Sequence, residues 1–219
     1  SPFTEANGVD WRQPKTTLQI PAASVIDVVR DAWQYTKRQT NVYLVSDVSG
    51  SMEGSKLQEA KQAMLSFVDQ IKGEQERIGL LIFASTVEEV VPLAELGRNR
   101  ADLVSEIGVL QARGSTALLD AIYIAYTKLQ NLNDLERINA IVVMTDGREN
   151  RSQIGYNELL QTIRMRNQTG VPVVIFCIAY GRDADMDMLR AIAEASGGQA
   201  RWGDPETIQD LYKVLSSYF

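Results

Sequence analysis

The sequence predicts a doubly wound α/β domain, a mostly parallel sheet with helices on both faces, preceded by a short N-terminal arm. Three observations carry this. Short apolar runs alternate with segments of helical period over most of the 219 residues. The runs are almost unbroken in apolar character, as strands buried on both faces must be. The intervening segments are ten residues or longer, which is the length of a crossover between parallel strands.

Residues 1–16 hold Pro2, Asn7, Gly8 and Pro14 with no apolar period, and they read as a linker. Residues 17–20 read as a short strand. Pro21 opens a helical pattern to about Lys37, with Val25, Ile26, Val29 and Trp33 on one face. The expected division is therefore an arm and lead-in helix over 1–37 and the α/β domain over 38–219. Within that domain, residues 42–45 are the first buried strand. Leu57, Ala60, Met64, Phe67 and Ile71 mark a helix over 55–72. Residues 78–83 form the next strand, and 87–91 pair beside it through the turn Ala84-Ser85-Thr86. Helices follow over 99–109 and 117–130. Strand 140–144 precedes helix 156–167, and strand 173–178 precedes helix 185–196. A last short strand spans 199–202, and Asp204 and Pro205 open a final helix over 205–217.

Composition removes several classes of function. The net charge is −6, so the basic footprint of a nucleic-acid binder is missing. No Lys/Arg-rich amphipathic helix suggests an anionic membrane surface, and no transmembrane span or signal peptide is visible. The chain has no histidine, which excludes Ser-His-Asp and Cys-His nucleophilic catalysis and His-ligated zinc. The one cysteine, Cys177, lies in an apolar run and reads as a buried small hydrophobe.

Open parallel sheets bind ligands at the carboxyl ends of their strands, where the topology changes direction. The first strand runs into Ser46-Asp47-Val48-Ser49-Gly50-Ser51-Met52, whose alternate residues offer one carboxylate and two hydroxyls. Strand 140–144 runs into Thr145-Asp146-Gly147. Between them Gly114-Ser115-Thr116 precedes a helix. Asp47, Ser49, Ser51, Thr116 and Asp146 present only oxygen, a donor set for a hard cation such as magnesium or manganese. Two carboxylates only just neutralise a dication. If one of them acts through water, the metal stays electrophilic and favours a carboxylate from another molecule. A third Asp at position 49 or 51 would oppose that.

Taken singly, each short motif has a plainer reading as an N-cap or a turn. Together, in this order, they resemble a known family. Asp47-Val48-Ser49-Gly50-Ser51-Met52 looks like the Asp-x-Ser-x-Ser signature of von Willebrand factor type A (VWA) domains, which have a Rossmann-like fold. Thr116 and Asp146 match that family's remaining ligands, and Leu189-x-x-Ile192-Ala193 with Ser196-Gly197-Gly198 its last helix, turn and strand. The resemblance covers roughly residues 40–218. It implies a metal-ion-dependent adhesion site (MIDAS). Asp47, Ser49 and Ser51 would act directly, Thr116 directly or through water, and Asp146 mainly through water. The open position would go to water or to the Asp or Glu of a protein partner. Residues 3–10 and the arm after them resemble the linker of bacterial surface proteins that join a solute-binding-protein-like domain to a C-terminal VWA domain. That implies a fragment of a larger protein at a bacterial cell surface, with the cytoplasm as the alternative place.

The sequence thus points to a non-enzymatic, metal-dependent protein-binding module. One alternative is a magnesium-dependent phosphatase of the haloacid dehalogenase type, but Ser49 stands where such an enzyme needs its acid–base Asp. The other is a scaffold with a purely structural metal. Asp183, Asp185, Asp187 and Glu194 mimic the spacing of an EF-hand, yet Met188 replaces its turn glycine, so calcium there is disfavoured and a helix N-cap is expected. Arg148, Arg151, Arg164 and Arg166 read as a solvated face, and Trp11, Trp33 and Trp202 as packing residues.

Overall fold

The computed structural model describes residues 38–147, 149–181 and 183–203. The expected strand over 17–20 and the helices over 21–37 and 205–217 lie outside the described residues, as do Trp11 and Trp33. The chain divides into two units, Ser1–Lys37 and Arg38–Phe219, and all the described residues belong to the second.

Among the described residues, six strands form one sheet: β1 (Thr40–Asp47), β2 (Arg77–Phe83), β3 (Val87–Glu95), β4 (Ile138–Thr145), β5 (Val173–Ala179) and β6 (Ala200–Trp202). Their spatial order is β3-β2-β1-β4-β5-β6. All neighbouring pairs are parallel except β2 with β3, which is antiparallel. The mostly parallel sheet read from the sequence is therefore present. The chain leaves β1 toward β2 on one side and later returns to β4 on the other. The switch point, where open parallel sheets bind ligands, falls at the carboxyl ends of β1 and β4.

Among the described residues, five α-helices cover the sheet: α1 (Ser55–Gln70), α2 (Leu96–Val109), α3 (Leu118–Asn131), α4 (Tyr156–Thr169) and α5 (Met186–Ala195). Side chains alternate between faces along each strand. Val42 and Leu44 of β1 join Leu80 of β2 and Val142 of β4 under Met64 and Phe67 of α1 and Leu103 of α2. Tyr43 and Val45 join Leu81, Ile141, Val143 and Ile175 under α3, α4 and α5, through residues such as Ile122, Tyr126, Leu159, Ile163 and Leu189. Each helix buries one apolar stripe at the spacing the sequence displays.

Three differences from the expected bounds have physical causes. β1 begins at Thr40 because two polar residues are buried with partners. Thr40 Oγ1 donates to Glu76 at 2.5 Å and Asn41 Nδ2 to Asn139 at 2.9 Å. Apolarity alone cannot reveal such a pairing. β3 runs on to Glu95 through Pro92. It has one partner, β2, so a residue without an N–H is tolerated there. α2 starts at Leu96, a turn earlier than the periodicity suggests, with no side-chain cap to announce it.

Other expectations about single residues can be placed. Asp185 is the N-cap of α5 and accepts from Met188 N at 3.0 Å, as a helix start requires. Cys177 is buried in β5, and burial pushes its thiol up to about 12. Arg151, Arg164 and Arg166 are exposed, as a solvated face should be. Trp202, expected to pack, is 45% exposed on β6, the last strand in the sheet order.

Candidate metal centre

The parallel register brings Asp47 of β1 level with Thr145 of β4, since Ser46 lies opposite Met144. The Thr145 hydroxyl donates to Asp47 Oδ2 at 2.5 Å and accepts from Gly147 N at 3.2 Å. Asp47 Oδ1 accepts from Ser49 N at 2.8 Å, which folds the chain into a 3-10 turn over Gly50–Met52. The turn sets the Ser49 and Ser51 hydroxyls 3.0 Å apart. Ser51 Oγ then donates to Asp146 Oδ1 at 2.8 Å, so the β1 and β4 loops meet through side chains.

The third loop is laid across these two. Arg113 N donates to Val48 O at 2.6 Å, Gly50 N to Gly114 O at 3.0 Å and Ala117 N to Ala84 O at 2.8 Å. Gly114 adopts φ +77°, a left-handed turn in which a side chain would also strike Ser85 Oγ. Thr116 is thereby brought to the junction. A Cβ on Gly147 would lie 3.1 Å from Thr116 Oγ1 and 3.4 Å from Asp47 Oδ2. All five candidate side chains, Asp47, Ser49, Ser51, Thr116 and Asp146, therefore converge on one place.

Four of the five are deeply buried: Asp47 at 0%, Ser49 at 1%, Asp146 at 1% and Thr116 at 3% exposure. Ser51 is exposed and forms the mouth. Burial pushes the Asp47 carboxyl above its ordinary range, against the pull of the Ser49 and Thr145 hydrogen bonds, and neighbouring Asp146 pushes the same way. No described Lys or Arg forms a salt bridge with Asp47. A buried carboxylate without a counter-ion, ringed by hydroxyls, suits a divalent cation. Among the described residues, no three His, Cys, Asp or Glu side chains gather into an alternative cluster.

Two participants escape the sequence reading. Thr145 reads there as the residue before Asp146, yet it orients Asp47. The other is Lys56, whose ammonium is ion-paired with Asp146 Oδ2. A signal for it exists. Lys56 sits in the first turn of α1, where a cation opposes the helix dipole, and that turn has no acidic residue or side-chain cap.

A latch outside the ring fixes the loops to each other. Asn150 Oδ1 accepts from Thr116 N at 3.1 Å, and Asn150 N donates to Thr116 O at 3.2 Å. Glu149 accepts from Leu119 N at 3.0 Å, Arg151 N at 2.7 Å, Ser152 N at 2.6 Å and Ser152 Oγ at 2.7 Å. It thus caps the start of α3 from another loop. Burial pushes the Glu149 carboxyl up, but these hydrogen bonds outweigh it and hold it below the usual range. A lowered folded-state pKa gives stability that is present above the unfolded value, about 4.3, and is lost as pH falls through the folded value. Glu149→Gln should therefore destabilise the domain at neutral pH by about 1 kcal/mol, allowing for the partial exposure of the site. The difference from wild type should close as pH drops below about 4. Urea midpoints of both proteins across that window check this, and a gap independent of pH would refute it.

A family model for the von Willebrand factor type A domain matches residues 41–213. Among curated relatives, human inter-alpha-trypsin inhibitor heavy chain H4 is 27% identical over 196 residues, covering 83% of this chain and 20% of its own length. The chain thus spans about a fifth of such a relative. A von Willebrand factor type A structure from Catenulispora acidiphila superimposes with TM-score 0.66 at 22% identity, over 82% of this chain and 42% of that one. Proximal thread matrix protein 1 from the mussel byssus, solved with a zinc-occupied MIDAS motif, gives 0.65 at 18% identity, over 81% of this chain and 46% of that one.

Proposed function

Because this chain belongs to the von Willebrand factor type A domain family, we propose that it is a non-enzymatic binding module whose divalent cation is held by Asp47, Ser49, Ser51, Thr116 and Asp146. The cation in this reading is magnesium or manganese, and it grips an Asp or Glu of a protein partner. The observation that carries the proposal is Asp47, fully buried, without a salt-bridge partner among the described residues and facing hydroxyls on three loops. Oxygen-only donors suit hard dications. The exposed Ser51 leaves an approach from solvent. The zinc-occupied site of the mussel protein supports a dication at such a motif.

The phosphatase reading has less support, because Ser49 supplies a hydroxyl where that chemistry needs a titratable acid. No helix among the described residues is long and apolar enough to cross a membrane. We place the domain outside the cell or on its surface, as part of a longer protein.

Binding to a proteome from the source organism tests the module. Chelation should abolish capture of the partner, and magnesium or manganese should restore it. Capture that ignores chelation would sink the proposal. A metal-dependent rise in melting temperature with no metal-dependent capture would instead leave the structural-metal scaffold as the function.

A further inference from the structure

Lys56 belongs to this junction without being one of its oxygen donors. Its ammonium is ion-paired with Asp146 Oδ2 and reaches the Ser51 carbonyl at 3.4 Å. Its stem lies against the β5–α5 turn, where a Cβ on Gly181 would come within 2.9 Å of Lys56 Cε. The side chain is 29% exposed and that of Asp146 is 0% exposed. The helix gains nothing from it, since a first-turn cation faces the positive end of the dipole. A local preference broken at a site is a mark of function.

Resting on the metal reading above, we infer that Lys56 is a specificity-determining residue, a tethered cation that weakens binding of the bare metal and couples it to the partner's carboxylate. Charge decides this. Asp47, Asp146 and Lys56 together carry −1. A dication brings the site to +1, and an acidic partner returns it to zero. Without Lys56 the bare dication already neutralises both Asp side chains, and the pull on a third carboxylate fades. In a buried setting such differences are felt strongly. Lys56 also restrains Asp146. Both oxygens of that carboxylate already accept a protein donor, Oδ1 from Ser51 and Oδ2 from Lys56. The carboxylate is thereby biased toward reaching a cation across water.

The test is calorimetric titration of the 219-residue chain with magnesium alone, then with magnesium in saturating acetate as a minimal carboxylate. Lys56→Met keeps the length of the side chain and removes its charge. It should bind magnesium about ten-fold tighter than wild type, with a smaller gain in affinity on adding acetate. Lys56→Arg should behave as wild type in both measurements, and Lys56→Gln should follow Lys56→Met. Equal or weaker magnesium binding by both neutral variants, or an undiminished acetate effect, overturns the inference and leaves the metal site standing. Failure of the wild type to bind magnesium or manganese overturns the metal reading itself, and this inference with it.

Discussion

Asp47→Asn should lose the response to metal while melting no lower than wild type in chelator. A ligand that binds only the native state stabilises it by about 2.7 kcal/mol at a concentration of ~100 times its Kd. For a domain of this size that is a rise of about 5–10 °C in melting temperature. Wild type should show a shift of this order with magnesium. The variant should show none, because the proposed ligand Asp47, fully buried and without a salt-bridge partner among the described residues, has lost its charge. Its behaviour in chelator separates a charge effect from damage. Burial is what pushes the Asp47 carboxyl up, so a neutral amide removes an unpaired buried charge. Asparagine can still accept from Ser49 N and Thr145 Oγ1 through its carbonyl side, one of the two at a time. A metal shift retained in Asp47→Asn would remove Asp47 from the ligand set.

Gly198→Ala should produce the largest loss of stability of any glycine-to-alanine change in the described fold, about 3 kcal/mol, or roughly 6–12 °C. A Cβ on Gly198 would lie 2.0 Å from Ile175 O and 2.8 Å from Ile175 C. Those are backbone atoms of β5, so no rotamer change can relieve the clash. The turn cannot retreat either. Gly198 N donates to Ala193 O at 2.9 Å, and Ser196 Oγ accepts from Ile175 N at 2.8 Å while donating to Ala193 O at 2.7 Å. The adjoining Gln199 O accepts from Cys177 N at 3.0 Å. Denaturant unfolding of Gly198→Ala against Gly197→Ala distinguishes contact from backbone preference. Gly197 adopts φ +81° but has open space around its Cβ position, so its alanine variant should suffer the smaller, purely conformational penalty of about 1 kcal/mol. Similar losses in the two variants would argue against the close approach.

The architecture was legible because it rests on local periodicity. The two-face burial of β1, β4 and β5 shows as continuous apolar runs, and the stripes of α1 and α3 show at helical spacing. What stayed hidden depends on partners distant in sequence. Thr40 and Asn41 fall outside the strand read at 42–45, and their pairing with Glu76 and Asn139 makes them part of it. The five oxygen side chains could be picked out because strand ends in a parallel sheet are where ligands bind. Thr145, Lys56 and Glu149 could not be picked out in the same way. Each acts on an atom of another loop, and no short motif encodes such a meeting.

The junction of β1 with β4 has a bearing on time as well as on affinity. Asp47 and Thr145, which touch at its centre, are 98 residues apart in sequence. The unfolded chain therefore has no pocket of this kind to offer a cation, and the pocket exists only once the longest crossover in the described sheet has closed. A cation that recognises only the finished junction would lengthen the lifetime of the native state rather than hasten its arrival.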